Sequence, residues 1–227
     1  MRLLVLADVH ADATALEQVL DHADGAWDAA ILLGDLIGYG SEPVATVAAL
    51  RALAPIAQVR GNHEDMLARR IEGRPVAASR DVVAALDRHR AALTEDDLAW
   101  LLAPPERAQV ERAGVAIDLV HGSPEPGGAD VYLLGVPAAR RAFPHLVSHL
   151  LLFGHTHVPG GFVEGAGKIR PVPARGGETV VDLTRGDRWM LNPGSVGRPR
   201  DRGPAGCYML LDLKRDTATI RRLGALS

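Results

Sequence analysis

Short apolar runs alternate with amphipathic stretches through the first part of the chain. Residues 3–7, 29–33 and 56–59 have the length and composition of buried strands. Between them, the spacing of apolar residues predicts helices over residues 14–22 and 43–53. This βαβαβ order predicts a largely parallel sheet with helices packed against it.

Residues 64–103 break this alternation and follow a helical pattern. Thr94 and Asp97 have the spacing of a capping box, with Asp in the place of the usual Glu, and leucines follow at helical intervals. We therefore predict one domain over residues 1–227 with a helical insertion at about 64–103. The insertion follows an Asn-His motif directly, so it is placed to shape a substrate cleft.

The second half of the chain is predicted to be rich in strands. Residues 115–120 and 150–153 are apolar runs, and residues 206–213 and 217–223 alternate enough to form a C-terminal hairpin. The glycine pair Gly160-Gly161 predicts a loop. Together these elements predict an α/β fold with two β layers and helices outside.

Composition and charge narrow the functional class. Of the 227 residues 47% are hydrophobic, enough for a sizeable core, whereas a net charge of −3 and 4% aromatic residues disfavour a nucleic-acid-binding surface. The lone Cys207 suits a reducing compartment and is interpreted as a small core residue. The apolar run after Arg2 is too short for a signal peptide, and no run approaches membrane-spanning length. We expect a cytoplasmic protein with no membrane partner.

Five short polar motifs follow predicted strands. They are Asp8-Val9-His10, Gly34-Asp35, Gly61-Asn62-His63-Glu64, His121-Gly122 and Gly154-His155-Thr156-His157. Because ligands gather at the carboxyl ends of strands in α/β sheets, these side chains are expected to converge. Carboxylate, amide and imidazole groups suit Mn, Fe, Co, Ni or Zn better than calcium. One bridging carboxylate would place two ions about 3.5–4 Å apart, the spacing of two-metal hydrolases.

Each motif taken alone has a purely structural explanation. Asp8, Asp35 and Asn62 are common turn residues, and His121 could be a hydrogen-bonded histidine at a strand end. Coincidence of all five motifs in this order is a much weaker explanation, so the joint pattern favours a metal site. The histidines outside the motifs are interpreted as surface or packing residues: His22, His89, His145 and His149.

The five motifs resemble those of the calcineurin-like metallophosphoesterase superfamily, and the resemblance spans nearly the whole chain. Residues 34–40 and 192–197 are similar to the small bacterial and archaeal phosphodiesterase branch. The resemblance implies an αββα sandwich of two mixed β-sheets flanked by helices. It also implies a dinuclear metal-dependent hydrolase acting on a small or nucleotide-like phosphodiester.

The same resemblance implies a role for each polar motif residue. Asp8, His10 and His157 would bind one divalent ion, Asn62, His121 and His155 would bind the other, and Asp35 would bridge the two. Manganese is favoured, with Fe, Co, Ni and Zn as alternatives. A metal-bridging hydroxide would attack phosphorus, and His63 would protonate the leaving oxygen or stabilise its charge.

Two positions depart from the pattern of the serine/threonine protein phosphatases in that superfamily. Gly38 stands where those enzymes carry the Asp that orients the catalytic His, and Tyr39 stands where they carry a phosphate-gripping Arg. A dedicated protein phosphatase is therefore not expected. Glu64 and Asp65 are the candidates for orienting His63.

Charged residues beside the motifs leave further alternatives open. Asp12, in a position where many relatives have Asn, would add negative charge near the metals and either tighten metal binding or discourage a polyanionic substrate. Arg198, Arg200 and Arg202 would form a basic lip for a second phosphate or a nucleotide, although a solvated loop is the simpler interpretation. Arg60 allows the same two interpretations, a phosphate-binding residue or a solvated side chain.

Two rival functions have to be weighed against a phosphodiesterase. The first is a phosphomonoesterase with the same site. The second is a catalytically silent scaffold, such as the metallophosphoesterase-like subunit of the retromer sorting complex. His63 beside a complete ligand set argues against the scaffold. The expected partner is a small-molecule phosphoester, with a nucleotide allowed and a nucleic acid disfavoured.

Overall fold

The computed structural model describes residues 1–224, which contain twelve strands and six α-helices. The strands are β1 (Arg2–Leu6), β2 (Ala29–Leu32), β3 (Ala57–Gln58), β4 (Arg107–Arg112), β5 (Val115–Val120), β6 (Leu150–Leu152), β7 (Gly160–Gly165), β8 (Lys168–Pro173), β9 (Glu178–Asp182), β10 (Arg188–Asn192), β11 (Cys207–Asp212) and β12 (Thr217–Arg222). The helices are α1 (Ala13–His22), α2 (Pro43–Ala52), α3 (Asn62–Ile71), α4 (Arg80–Ala92), α5 (Glu95–Leu102) and α6 (Gly135–Ala142). Short 3-10 turns lie at Gly128–Asp130 and Phe143–His145.

The strands form two mixed sheets of six strands each. The first has the order β3-β2-β1-β11-β12-β9, and its β1, β2 and β3 are parallel while β1 and β11 are antiparallel. The second has the order β4-β5-β6-β10-β7-β8, with β5, β6 and β10 parallel. This architecture confirms the predicted sandwich of two mixed sheets flanked by helices.

The first sheet is packed on both of its faces because β1 is apolar on both of them. Leu3 and Val5 belong to the cluster between the sheets, which also contains Leu119 of β5. Leu4 and Leu6 belong to a second cluster, which includes buried residues of α1, α2, α3, α4 and α5. A strand that is covered on both faces has apolar residues at successive positions. This explains why the apolar run at residues 3–7 is uninterrupted.

The predicted elements of the first half and the C-terminal hairpin are confirmed, with small shifts at their ends. The strand predicted at residues 56–59 is shorter, since Ala57–Gln58 alone forms β3. The prediction of a loop at Gly160-Gly161 is wrong, because these residues begin β7 and pair with β10. A Cβ on Gly161 would lie 1.9 Å from the carbonyl oxygen of Met190, so glycine here permits close strand pairing.

The stretch predicted to be helical contains α3, α4 and α5. The predicted capping box is present: Thr94 Oγ1 accepts the N–H of Asp97 at 3.2 Å, and Asp97 Oδ2 accepts the N–H of Thr94 at 3.3 Å. Helix α3 begins two residues earlier than predicted, so Asn62 and His63 lie in its first turn. Within residues 1–224, no helix has the length and apolar character needed to span a membrane.

Candidate metal centre

Ligand-type residues at the ends of β1, β2 and β6 have left-handed backbone conformations. They are Asp8 (φ 53°), His10 (φ 55°), Asp35 (φ 52°), His155 (φ 64°) and His157 (φ 59°). This conformation costs a non-glycine residue roughly 1–2 kcal/mol. Such strain persists only where surrounding structure enforces it, and it concentrates at functional sites. The loops are therefore shaped around these side chains.

The first cluster of ligand atoms, defined as cluster A, lies between β1, β2 and the loop after β6. It contains Asp8, His10, Asp35 and His157, all buried, with ligand atoms within 4.8 Å of one another. Nδ1 of His10 donates to the carbonyl of Ile37, and Nδ1 of His157 donates to the carbonyl of Arg198. Burial lowers the pKa of both rings, so both are neutral, and with Nδ1 protonated each Nε2 carries a lone pair. The two Nε2 atoms face each other at 3.1 Å. That arrangement is favourable when both lone pairs bind one cation.

The second cluster, cluster B, shares one carboxylate with the first. It contains Asp35, His121 and His155, again with ligand atoms within 4.8 Å of one another. Nδ1 of His121 donates to the carbonyl of Leu33 at 2.7 Å, so its Nε2 is the ring atom that faces the cluster. Nε2 lies 3.1 Å from Asn62 Oδ1 and 3.3 Å from Asp35 Oδ2, and in the metal-free protein it carries a proton that is donated to these oxygens. A cation that displaces this proton would meet one nitrogen and two oxygens.

The pKa shifts in the two clusters show that positive charge is stabilised there. Burial raises the pKa of Asp8 to about 8, and among residues 1–224 its Oδ2 atom has no hydrogen-bond donor. Burial alone would lower the pKa of His121, but Asp35 and Asp8 raise it to about 10. Oxygen and imidazole donors in this number suit divalent transition metals. The residues therefore fit two ion sites that share Asp35.

His63 lies at the edge of both clusters. Its Nε2 is 3.9 Å from Asp35 Oδ2, and its backbone N–H donates to Asp35 Oδ1 at 2.9 Å. The centre of its ring is 4.8 Å from the ring centres of both His10 and Tyr39. Burial lowers the pKa of His63, which favours a neutral imidazole that keeps one N–H to donate.

Neither of the two residues predicted to orient His63 does so, which corrects the prediction. Glu64 binds backbone N–H groups, and Asp65 accepts a hydrogen bond from Arg60 Nε at 2.9 Å. That ion pair also shows that Arg60 is structural rather than part of a basic lip. The ring of His63 instead packs against Gly38, where a Cβ would lie 2.1 Å from His63 Nδ1.

We expect Gly38→Ala to lower kcat/KM about 10²-fold, since a displacement of about 1 Å in a catalytic group can have that effect. The added methyl group would push the ring of His63 away from the clusters. The matched control is Gly73→Ala, because Gly73 also has a positive φ but has open space around its Cβ position. Steady-state kinetics with metal-loaded proteins would measure both variants. Unchanged kcat/KM in Gly38→Ala would contradict the positioning role of this glycine.

Glu64 ties the start of α3 to the loop after β2. Its fully buried carboxylate accepts the N–H groups of Gly61, Asp35 and Leu36 at 2.8 Å and that of Ile37 at 3.3 Å. One side chain thus satisfies four backbone donors of the segment that carries Asp35. The sequence pattern pointed to Glu64 only as a neighbour of His63.

We expect Glu64→Gln to lower the free energy of unfolding by about 2–4 kcal/mol, because the amide would place N–H donors against backbone N–H donors. Urea denaturation of the metal-free protein would measure the change. Glu72→Gln is the matched control at the other end of the same helix, where the carboxylate is half-exposed. An equal, small change in both variants would show that the four hydrogen bonds of Glu64 contribute little.

Asp12 and His89 lie outside the two clusters and have structural roles, and for His89 this agrees with its interpretation as a packing residue. Asp12 accepts the N–H of Ala15 at 2.8 Å and caps α1, and it belongs to neither ligand cluster. His89 is buried on α4, where it accepts the N–H of Gly38 at 3.3 Å and donates to the carbonyl of Gly40 at 2.8 Å. It supports the loop against which His63 packs. The sequence feature that indicates its burial is its position on the apolar face of α4, at helical spacing from Val82 and Leu86.

A cavity of about 230 Å³ opens beside the two clusters. It is lined by Asp35, Tyr39, Asn62, His63, Met66, Ala77, Ala78, Ser79, Val82, Tyr132, His155 and Arg200. Residues 66–82 come from the helical stretch, which therefore does line the cleft, as its position in the sequence predicted. A larger cavity, of about 640 Å³, lies at the far end of the sheets near Trp189 and contains none of the cluster residues.

This chain is similar to known proteins both in sequence and in structure. The sequence profile of the calcineurin-like phosphoesterase superfamily domain matches residues 1–216. A metallophosphoesterase from Sphaerobacter thermophilus is 31% identical, and the match covers 100% of this chain and 90% of that one with a TM-score of 0.80. A hypothetical protein from Pyrococcus horikoshii shares the fold at 18% identity, with a TM-score of 0.74 over 97% of this chain and 87% of its own.

A curated but uncharacterised protein of Methanocaldococcus jannaschii is 26% identical over an alignment 223 residues long, and the match covers 92% of this chain and 82% of that protein. The profile match covers nearly all of the chain, and the same stretch contains both ligand clusters. The 31% identical structure spans the whole chain. This chain belongs to the calcineurin-like phosphoesterase superfamily.

Proposed function

We propose that the protein is a dinuclear metal-dependent phosphodiesterase that hydrolyses a small or nucleotide-like phosphodiester. The observation that carries the proposal is the buried carboxylate of Asp35, which belongs to both ligand clusters and has His63 beside it. The name of the Sphaerobacter thermophilus relative, a metallophosphoesterase, supports the same reaction class.

The proposed ligands follow from the two clusters. Asp8, His10, Asp35 and His157 would hold one divalent ion, and Asp35, Asn62, His121 and His155 would hold the other. We favour manganese, with Fe, Co, Ni and Zn as alternatives, because mixed oxygen and imidazole donors suit all of them. When bound, such ions stabilise charge on phosphoryl oxygens and lower the pKa of water.

His63 is the proposed catalytic side chain beside the leaving group. Its Nε2 faces the edge of both clusters, and the rings of Tyr39 and His10 fix its orientation. From there Nε2–H donates a hydrogen bond to the oxygen that leaves, which stabilises the charge developing on it. Typical general-acid assistance of this kind contributes about 10²–10⁴-fold in rate.

The wall formed by Met66, Ala77 and Val82 supports a diester over a monoester. These side chains line the cavity beyond His63 and offer an apolar surface for an organic group. A cavity of about 230 Å³ suits a small molecule better than a nucleic acid strand. The alternatives are a phosphomonoesterase with the same site and a catalytically silent scaffold.

Hydrolysis of bis(p-nitrophenyl) phosphate and p-nitrophenyl phosphate tests the proposal. We expect metal-free protein to be inactive and Mn-loaded protein to prefer the diester. A preference for the monoester would favour the phosphomonoesterase. No turnover with Mn, Fe, Co, Ni or Zn, despite stoichiometric metal binding, would favour the scaffold.

A further inference from the structure

The loop after β10 is fixed to the first ligand cluster. The Ser195 hydroxyl donates to the carbonyl of Asp8 and accepts the N–H of Arg198, both at 2.7 Å. The N–H of Gly197 donates to the carbonyl of Asp8 at 3.2 Å. The carbonyl of Arg198 accepts the Nδ1–H of the cluster residue His157. Residues 195–198 are thus part of the framework of the site, which corrects the interpretation of this stretch as a solvated loop.

Two arginine side chains extend from this loop, and each contacts a tyrosine beside the clusters. The guanidinium of Arg198 lies 3.9 Å from the ring centre of Tyr39. Arg200 Nη1 donates to the hydroxyl of Tyr132 at 2.9 Å. The ring of Tyr132 stacks on the ring of His155 with 4.0 Å between centres and 18° between planes. Tyr132 therefore contacts both Arg200 and the cluster B residue His155.

The guanidinium of Arg200 has spare capacity to bind an anion. It lines the 230 Å³ cavity together with Asn62 and His155. Within residues 1–224, neither Arg198 nor Arg200 forms an ion pair with a carboxylate. A planar guanidinium with several free N–H donors matches the oxygens of a phosphate.

We propose that Arg200, oriented by Tyr132, binds a second phosphate of the substrate beside the one that reacts. Tyr132 stacks on His155 and holds Arg200 through its hydroxyl, so the guanidinium lies at the cavity beside the ligand clusters. The substrate class is then a compound with two adjacent phosphates, as in a nucleoside diphosphate or polyphosphate. This inference rests on the proposed function, because it takes the reacting phosphate to lie at the clusters.

Isothermal titration with inorganic phosphate and inorganic pyrophosphate tests this inference without turnover. The proteins compared are Mn-loaded wild type, Arg200→Gln, Tyr132→Phe and Arg202→Gln, each with its metal content measured. Chelation of Mn²⁺ by pyrophosphate is the same for every variant, so it cancels in the ratio of dissociation constants. Arg202 is the control because it lies on the same loop but does not line the cavity.

We expect Arg200→Gln to weaken pyrophosphate binding about 10- to 100-fold, the usual effect of losing hydrogen bonds to a charged group, and phosphate binding less than about threefold. Tyr132→Phe keeps the ring on His155 and loses only the hydroxyl, so we expect about a threefold to tenfold effect on pyrophosphate alone. Arg202→Gln should match wild type for both anions. Tyr132→Phe provides the test if Arg200→Gln does not fold.

Two results would overturn the inference. One is unchanged pyrophosphate binding in Arg200→Gln, and the other is an equal loss of affinity for both anions, which would place Arg200 at the reacting phosphate. A different result would contradict the proposed function. Pyrophosphate binding that depends on Arg200 without any phosphoesterase turnover would contradict the function and keep the subsite.

Discussion

Asp35→Asn is expected to lower both the metal content of the protein and its phosphoesterase activity. Asp35 is buried, and its Oδ2 lies 3.3 Å from His121 Nε2 in cluster B and 3.8 Å from His10 Nε2 in cluster A. No other residue belongs to both clusters among residues 1–224. Loss of several kcal/mol of charge stabilisation corresponds to on the order of 10³-fold in kcat/KM.

Elemental analysis and steady-state kinetics on the same preparations would measure both effects. Asp12→Asn is the matched control, because it changes another carboxylate on a motif loop whose role is to cap α1. Asparagine caps helices about as well as aspartate, so this control should keep wild-type metal content and activity. Two bound ions and full activity in Asp35→Asn would rule out Asp35 as the shared ligand.

His63→Ala is expected to lower kcat about 10²–10⁴-fold while both ions stay bound. Metal binding should survive because the hydrogen bond from residue 63 to Asp35 Oδ1 comes from the backbone N–H, which alanine keeps. Because the proposed role of the imidazole is to assist the leaving oxygen, the loss should be larger for an alkyl leaving group than for p-nitrophenolate. A good leaving group needs little help from a hydrogen-bond donor.

Kinetics with a p-nitrophenyl diester and an alkyl diester would separate this role from a general structural defect. His145→Ala is the control, since His145 is exposed in a 3-10 turn away from the clusters. If His63→Ala lost the same factor with both leaving groups, the imidazole would act by positioning rather than at the leaving oxygen. Loss of metal would also contradict the proposed role.

The sequence was sufficient for elements whose apolar pattern is regular. Buried strands such as β1 and β2 follow from continuous apolar runs, and the β11–β12 hairpin follows from alternation around a polar turn. The strands β7 and β8 were not predicted, because they contain glycine and proline, residues typical of loops. Their strand conformation depends on pairing with β10 and with each other.

The sequence by itself determined the chemistry of the candidate centre: carboxylate, amide and imidazole groups, each at the end of a predicted strand. Tertiary structure alone decided how these groups meet, since Nε2 atoms of His10 and His157 face each other across 147 positions of sequence. It also decided that Glu64 supports the loop of Asp35 and that Tyr132 holds Arg200. These contacts join residues far apart in the chain, and local periodicity carries no information about which distant loops pack together.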